Sequence, residues 1–324
     1  MRSKFTKLFL TLPLIAAGSA CGSIGSSETG YPNDEVTFVI PFAPGGSTDP
    51  IGREYAAHLE DVLGTSVAVL NREGGGGAVG TNEVLQAEPD GYTLGLCIDS
   101  SLALTPQLQD LPYSPEDAAL IAGLVTQPAN LAVAADSPWE TLDDFVQYSK
   151  KNPGEVQLGN SGALSVTDLE VHKLADTMGT EIQSVAFAGG GEALTALLGG
   201  RIDGVVGRGP TFAGSEKAGD IKVLGTYRDE GYPFLPEATP FAEAGVDMAN
   251  TPEIIGICAP AGLPDDVKET LVDASLKVAE SPEFTGWLEE NGYIPTTMDP
   301  EEYAETIESY RDAYGEILKA NDLL

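Results

Sequence analysis

Two short stretches of this sequence carry the residue types needed to hold a small anion. Residues 41–49 read PFAPGGSTD. Gly45 and Gly46 remove side chains, so a ligand can come close to the main chain. Asp49 can cap a helix whose first position suits Pro50. Free backbone N–H groups beside the positive end of a helix form an anion cradle. An ordinary strand-to-helix turn satisfies the same pattern. Gly189-Gly190-Gly191 ahead of Glu192 repeats the arrangement, and Gly159-Asn160-Ser161-Gly162 is a further glycine-containing turn.

Other chemistry finds little support. His58 and His172 are the two histidines, and no metal-ligand spacing links them to each other or to Cys97 and Cys258. Ser161 lies in GNSGA, which is not a nucleophile elbow. There is no P-loop. Gly75 to Gly80, GGGAVG, does satisfy G-x-G-x-x-G, and Asp99 follows at a dinucleotide-like distance. That makes an exported dinucleotide-binding oxidoreductase the alternative reading. An export signal, a second glycine turn in the middle of the chain and the lack of an obvious proton donor count against it. No metal, cofactor or enzymatic activity is expected.

These stretches must be held by an α/β scaffold. Val36 to Ile40 is a near-continuous apolar run, as a strand buried on both faces requires. Ile51 to Leu63 repeats apolar residues at helical spacing, with Asp49 as its expected cap. Ser66 to Leu70 and Tyr92 to Ile98 read as further strands around a helix at Thr81 to Ala87. This alternation predicts a largely parallel sheet. A second strand-and-helix unit fills the middle, and helical runs return after Asp265. We therefore expect one lobe built from both chain ends, residues 31–134 and 253–324, with residues 135–252 inserted as a second lobe. The crossings are expected near Ala134 and Pro252.

The 324 residues, 42% hydrophobic with a mean hydropathy of −0.04, fit a soluble protein with a real core. Residues 1–20 read as a secretory signal peptide: Arg2, Lys4 and Lys7, an apolar run, then small residues before Cys21. We expect lipidation at Cys21, although Gly18 departs from the usual lipobox, with residues 21–30 as a flexible tether. The net charge of −33 becomes −36 once the three signal-peptide cations are removed. That excludes nucleic acid as a partner and points to a solvated acidic surface. Cys97 and Cys258 both lie in apolar strand-like runs. A disulfide outside the cytoplasm and two buried free thiols both fit.

The runs IPFAPGGSTD, NREGGGGAVG and AEPDGYTL, in that order, resemble the N-terminal lobe of substrate-binding proteins of tripartite tricarboxylate transporters, the Bug receptors. NSGALSVTDL, FAGGGEALTALLGGRIDG and LGTYRDEGYPFLPEATPFAEAG resemble that family's middle segments. The resemblance spans residues 31–324. It implies a two-lobed periplasmic-binding-protein type II fold, a Venus flytrap of two α/β lobes closing by a hinge. It implies capture of a small organic acid, a di- or tricarboxylate or similar, for delivery to membrane permease subunits. A monomer on the outer face of the cytoplasmic membrane or in the periplasm is expected. Carried over by motif, the ligand residues are Ala43, Gly45, Gly46, Ser47, Thr48 and Asp49. Ser161, Gly162, Ser165, Ala188, Gly189 and Gly190 come from the other lobe. Arg208, at a strand end, is added as a group able to pair with a distal carboxylate. Asp168 stands where the family commonly has His, and Asn160 where it commonly has Ser.

Overall fold

The computed structural model describes residues 30–44, 47–246, 248 and 252–324, and Tyr31 to Leu324 form one compact unit. The chain opens with β1 (Val36–Ile40), α1 (Asp49–Leu63), β2 (Val67–Asn71), α2 (Ala78–Leu85), β3 (Thr93–Ile98), the short α3 (Thr105–Leu108) and β4 (Ala118–Gln127). The middle runs β5 (Ala129–Ala134), α4 (Leu142–Lys151), β6 (Gln157–Asn160), α5 (Val166–Met178), β7 (Gln183–Ala186) and α6 (Gly190–Leu198). It continues through β8 (Gly204–Arg208), α7 (Gly209–Ala218), β9 (Ile221–Thr226) and β10 (Thr239–Pro240). The end is β11 (Glu253–Pro260), α8 (Asp265–Ala279), α9 (Pro282–Glu290), β12 (Ile294–Met298) and α10 (Pro300–Ala320).

Two six-stranded sheets result, ordered β12-β4-β11-β3-β1-β2 and β10-β9-β5-β8-β6-β7. They share a plan. β2, β1 and β3 run parallel, as do β7, β6 and β8, and an antiparallel strand, β11 or β5, closes each trio. The sheets are therefore mixed. In such sheets ligands sit outside the carboxyl ends of the strands where the order reverses. Those ends are β1 with β3 in the first sheet and β6 with β8 in the second.

Burial explains why the elements form. β1 has four of its five side chains buried, which matches its central position between β2 and β3. α1 buries Ile51, Tyr55, Ala56 and Leu59, and Tyr55 Oη meets Ser275 Oγ of α8 at 2.7 Å. A Cβ at Gly52 would stand 2.6 Å from Ile40, so glycine sets how closely α1 lies on β1. In the second lobe, Leu131, Phe145, Leu158 and Val206 lie in one buried cluster, and Val205, Phe212 and Ala193 in another.

Two expectations need revision, and one open alternative is resolved. The chain leaves the first sheet at Pro128, between β4 and β5, rather than near Ala134. Pro128 has no N–H to continue a ladder, so the apolar run there splits between two sheets. It re-enters the first sheet at Glu253. The helix cap is Thr48, with Asp49 already helical, one residue from the position expected of Asp49. Cys97 and Cys258 form a disulfide between the neighbouring strands β3 and β11, with Cα atoms 5.7 Å apart and both side chains fully buried.

Candidate functional site

The turn after β1 is fastened to the end of β2. Asn71 Nδ2 donates to Phe42 O at 2.9 Å and to Asp49 Oδ1 at 2.7 Å. Arg53 Nε donates to Asp49 Oδ2 at 2.9 Å, and its Nη2 donates to Asn71 Oδ1 at 2.7 Å. Both Asp49 oxygens are thus engaged by protein groups, and the side chain is buried. Thr48 is buried beside it and makes no side-chain cap. Tyr293 Oη donates to Ser47 O at 3.0 Å. Ala43 and Ser47 are exposed, while Gly45, Gly46 and Cys21 lie outside the described residues.

The turn after β6 is ordered by Asn160, Thr167 and Asp168, all buried. Asn160 Oδ1 accepts from Gly162 N at 2.8 Å, and its Nδ2 donates to Asp168 Oδ1 at 2.9 Å. Ser184 Oγ donates to the same carboxylate oxygen. Asp168 Oδ2 accepts from Leu164 N at 2.8 Å, holding Leu164 at a left-handed φ of 57°. His172 Nε2 stands 3.8 Å from Asp168. Thr167 Oγ1 accepts from Ser161 N at 2.9 Å and meets Ser161 Oγ at 2.7 Å and Ser165 Oγ at 3.0 Å. Ser165 Oγ caps α5 by accepting from Asp168 N at 3.2 Å. The amides of Ser161, Gly162 and Leu164 are therefore taken internally, and Ser165 N bonds Gly162 O at 3.1 Å. What this turn offers outward is hydroxyl oxygen from the half-buried Ser161 and Ser165.

The turn after β7 differs. Ala188 N donates to Glu192 Oε2 at 3.0 Å, and Gly189 O accepts from Glu192 N and Ala193 N, each at 3.1 Å. The amides of Gly190 and Gly191, in the first turn of α6, take no partner among the described residues. They are free donors at the positive end of a helix. α5 itself is anchored to the first lobe, because Val166 and Leu169 share a buried cluster with Ala78, Leu102 and Tyr314.

Behind these turns lies a buried charge cluster. Arg208 ends β8, and only 7% of it is exposed. Its Nη1 donates to Glu170 Oε1 at 2.9 Å, and its Nε stands 3.7 Å from Glu253 Oε2. Burial works against the Arg208 charge, but Glu170 and Glu253 outweigh it and hold its pKa above the ordinary arginine value. Gln127 Nε2 reaches Glu253 at 3.2 Å. Asp99, at the end of β3, accepts from Ile254 N at 3.1 Å and from Tyr314 Oη. Burial, then the nearby Glu253, push the Asp99 carboxyl up to about 7.

The same geometry bears on the dinucleotide pattern. Asp99 is fully buried and is taken up by protein partners, the Ile254 amide and the Tyr314 hydroxyl. A Cβ at Gly80 would stand 2.6 Å from Pro41 Cα and 2.7 Å from Arg72 O, so this glycine serves helix-to-strand packing. No metal-binding group of His, Cys, Asp and Glu exists among the described residues.

The chain and its fold are similar to known proteins. The family model for the tripartite tricarboxylate transporter family receptor matches residues 51–323. The chain is 29% identical to Protein BugT of Bordetella pertussis over 265 residues, 79% of each chain. Its fold is similar to that of the periplasmic binding protein BugD, with a TM-score of 0.77 and 26% identity, covering 90% of this chain and 98% of that one. Rpa4515 of R. palustris, solved with adipate, gives a TM-score of 0.81 and 27% identity at the same coverage.

Proposed function

We propose that this chain, which belongs to the tripartite tricarboxylate transporter family of receptors, captures a small organic carboxylate between its two lobes outside the cytoplasm and delivers it to the membrane subunits of such a transporter. A relative of the same fold has been solved with adipate, a dicarboxylate. The observation that carries the site is the pair of free amides, Gly190 and Gly191, at the start of α6. They provide positive potential without a lysine or arginine side chain. The site also takes in Ser161, Gly162, Ser165, Ala188 and Gly189 from the second lobe. The turn from Ala43 to Asp49, with Gly45 and Gly46, supplies it from the first lobe. Receptors of this kind bind and release, which requires no catalytic group.

A lipid anchor at Cys21 holds the receptor at the membrane, with residues 21–30 as the tether and a single copy as the working form. Cys21→Ser should release the protein from the membrane fraction; retention there contradicts the anchor.

Thermal-shift measurement of the mature protein against adipate, succinate, citrate and NAD tests the function. Ligand binding raises the unfolding temperature by mass action. Stabilisation by a carboxylate supports the receptor, and stabilisation by NAD alone contradicts it.

A further inference from the structure

Thr167 connects two residues of the proposed site while touching neither the solvent nor, by its burial, a ligand; it is 4% exposed. Its hydroxyl has one proton to donate and two lone pairs. One lone pair takes Ser161 N at 2.9 Å. The oxygens of Ser161 and Ser165 both lie within 3.0 Å of the same atom. If both serines donated to Thr167, three protons would compete for two lone pairs and the Thr167 proton would have no acceptor. One serine therefore donates to Thr167, and Thr167 donates to the other.

The consequence is an outward face of fixed composition. When Ser165 donates inward, Ser161 turns its O–H outward, and Ser165 keeps one outward lone pair beside the one taken by Asp168 N. When Ser161 donates inward, Ser165 turns its O–H outward and Ser161 shows only lone pairs. Either state offers one donor and one acceptor side by side.

We infer that Thr167 is a specificity-positioning residue that tunes the second lobe for a carboxylate carrying a hydrogen-bond donor on the neighbouring carbon, a 2-hydroxy acid. A plain carboxylate has only acceptors: it satisfies the outward O–H and leaves lone pairs facing lone pairs at the other serine. A 2-hydroxy acid places its carboxylate on the first and its hydroxyl on the second. A site that hydrogen-bonds a substrate hydroxyl discriminates strongly against the analogue lacking it, because its own polar group is left unpaired. This inference rests on the reading that Ser161 and Ser165 line the ligand site.

Isothermal titration of the mature protein with malate against succinate, and with 2-hydroxyadipate against adipate, tests it. The wild type should prefer the hydroxy acid of the pair it binds by about tenfold or more. Thr167→Ser, which keeps the hydroxyl, should keep that preference. Thr167→Val should bring the ratio to within about threefold, since each serine is then free to turn its proton outward. Equal binding of both members by the wild type, or a preference that survives in Thr167→Val, overturns the inference and leaves the carboxylate receptor standing. Failure of every acid tested to bind overturns both. If Thr167→Val does not fold, the wild-type ratio still decides.

Discussion

Arg208 donates to Glu170 across 2.9 Å, and both side chains are buried where the second lobe meets the strand leading back to the first. Glu253, the first residue of β11, stands 3.7 Å from the same guanidinium. Removing one partner of a buried ion pair leaves an uncompensated charge, which costs about 3–5 kcal/mol. Arg208→Met should therefore lower unfolding stability by about that amount, measured by urea denaturation. A variant of wild-type stability that has lost carboxylate affinity would instead make Arg208 a ligand group.

Asp99 makes stability depend on pH with a definite sign. Its folded pKa of about 7 lies above that of an unfolded aspartate. Below about pH 4 both states are protonated and the group contributes no difference. As pH rises towards 7 the unfolded chain gives up its proton more readily, so stability falls, and it levels off above. Glu253 reinforces the shift; Tyr314, Arg208 and the Ile254 amide oppose it. The wild type should lose stability relative to Asp99→Asn between about pH 4 and 7, read from denaturation midpoints. A constant difference across that range contradicts the assignment.

The Cys97–Cys258 disulfide closes a chain segment with a sequence separation of 161 that contains the whole second lobe. Chain-entropy arguments give about 5 kcal/mol for a loop of that order. Cys97→Ser with Cys258→Ser should unfold at distinctly lower denaturant. Because both sulfurs are buried, reductant and alkylating agent should label neither cysteine until the protein is denatured.

Gly80 tests the meaning of the glycine-rich stretch. An added Cβ meets main-chain atoms of Pro41 and Arg72, which cannot turn aside. Gly80→Ala should destabilise by about 1–3 kcal/mol in thermal unfolding. A stable variant would reopen the question of why glycine stands there.

The formal charge of −33, or −36 over residues 21–324 alone, predicts a salt response. Screening weakens self-repulsion, so the melting temperature should rise with NaCl. A falling melting temperature would mean that attractive surface pairs dominate.

The strand–turn–helix of Val36 to Leu63 was legible because apolar runs, prolines and glycines act locally. The helix start slipped by one residue, since Asp49 is drawn to Arg53 and Asn71 rather than to the cap. β4 is not marked locally, because its apolar run continues through Pro128 into β5 and only the tertiary fold assigns the halves to different sheets. β12, IPTTM, is a short edge strand of weak pattern. In the site, glycine turns mark the places, but Asn71, Thr167 and Asp168 act through contacts that spacing does not announce. The slight local signal for Thr167 is a hydroxyl two residues beyond the N-cap Ser165. Arg208 was visible as a strand-end cation, while Glu170 and Glu253 come to it from 38 and 45 positions away.

A crystal structure of the mature protein with a bound dicarboxylate tests the central claim most directly. The account predicts a carboxylate oxygen within hydrogen-bond distance of the Gly190 or Gly191 amide, with Ser161 or Ser165 Oγ on the same ligand. A ligand held instead on the Arg208 guanidinium, or bound away from both lobes' turns, would contradict it.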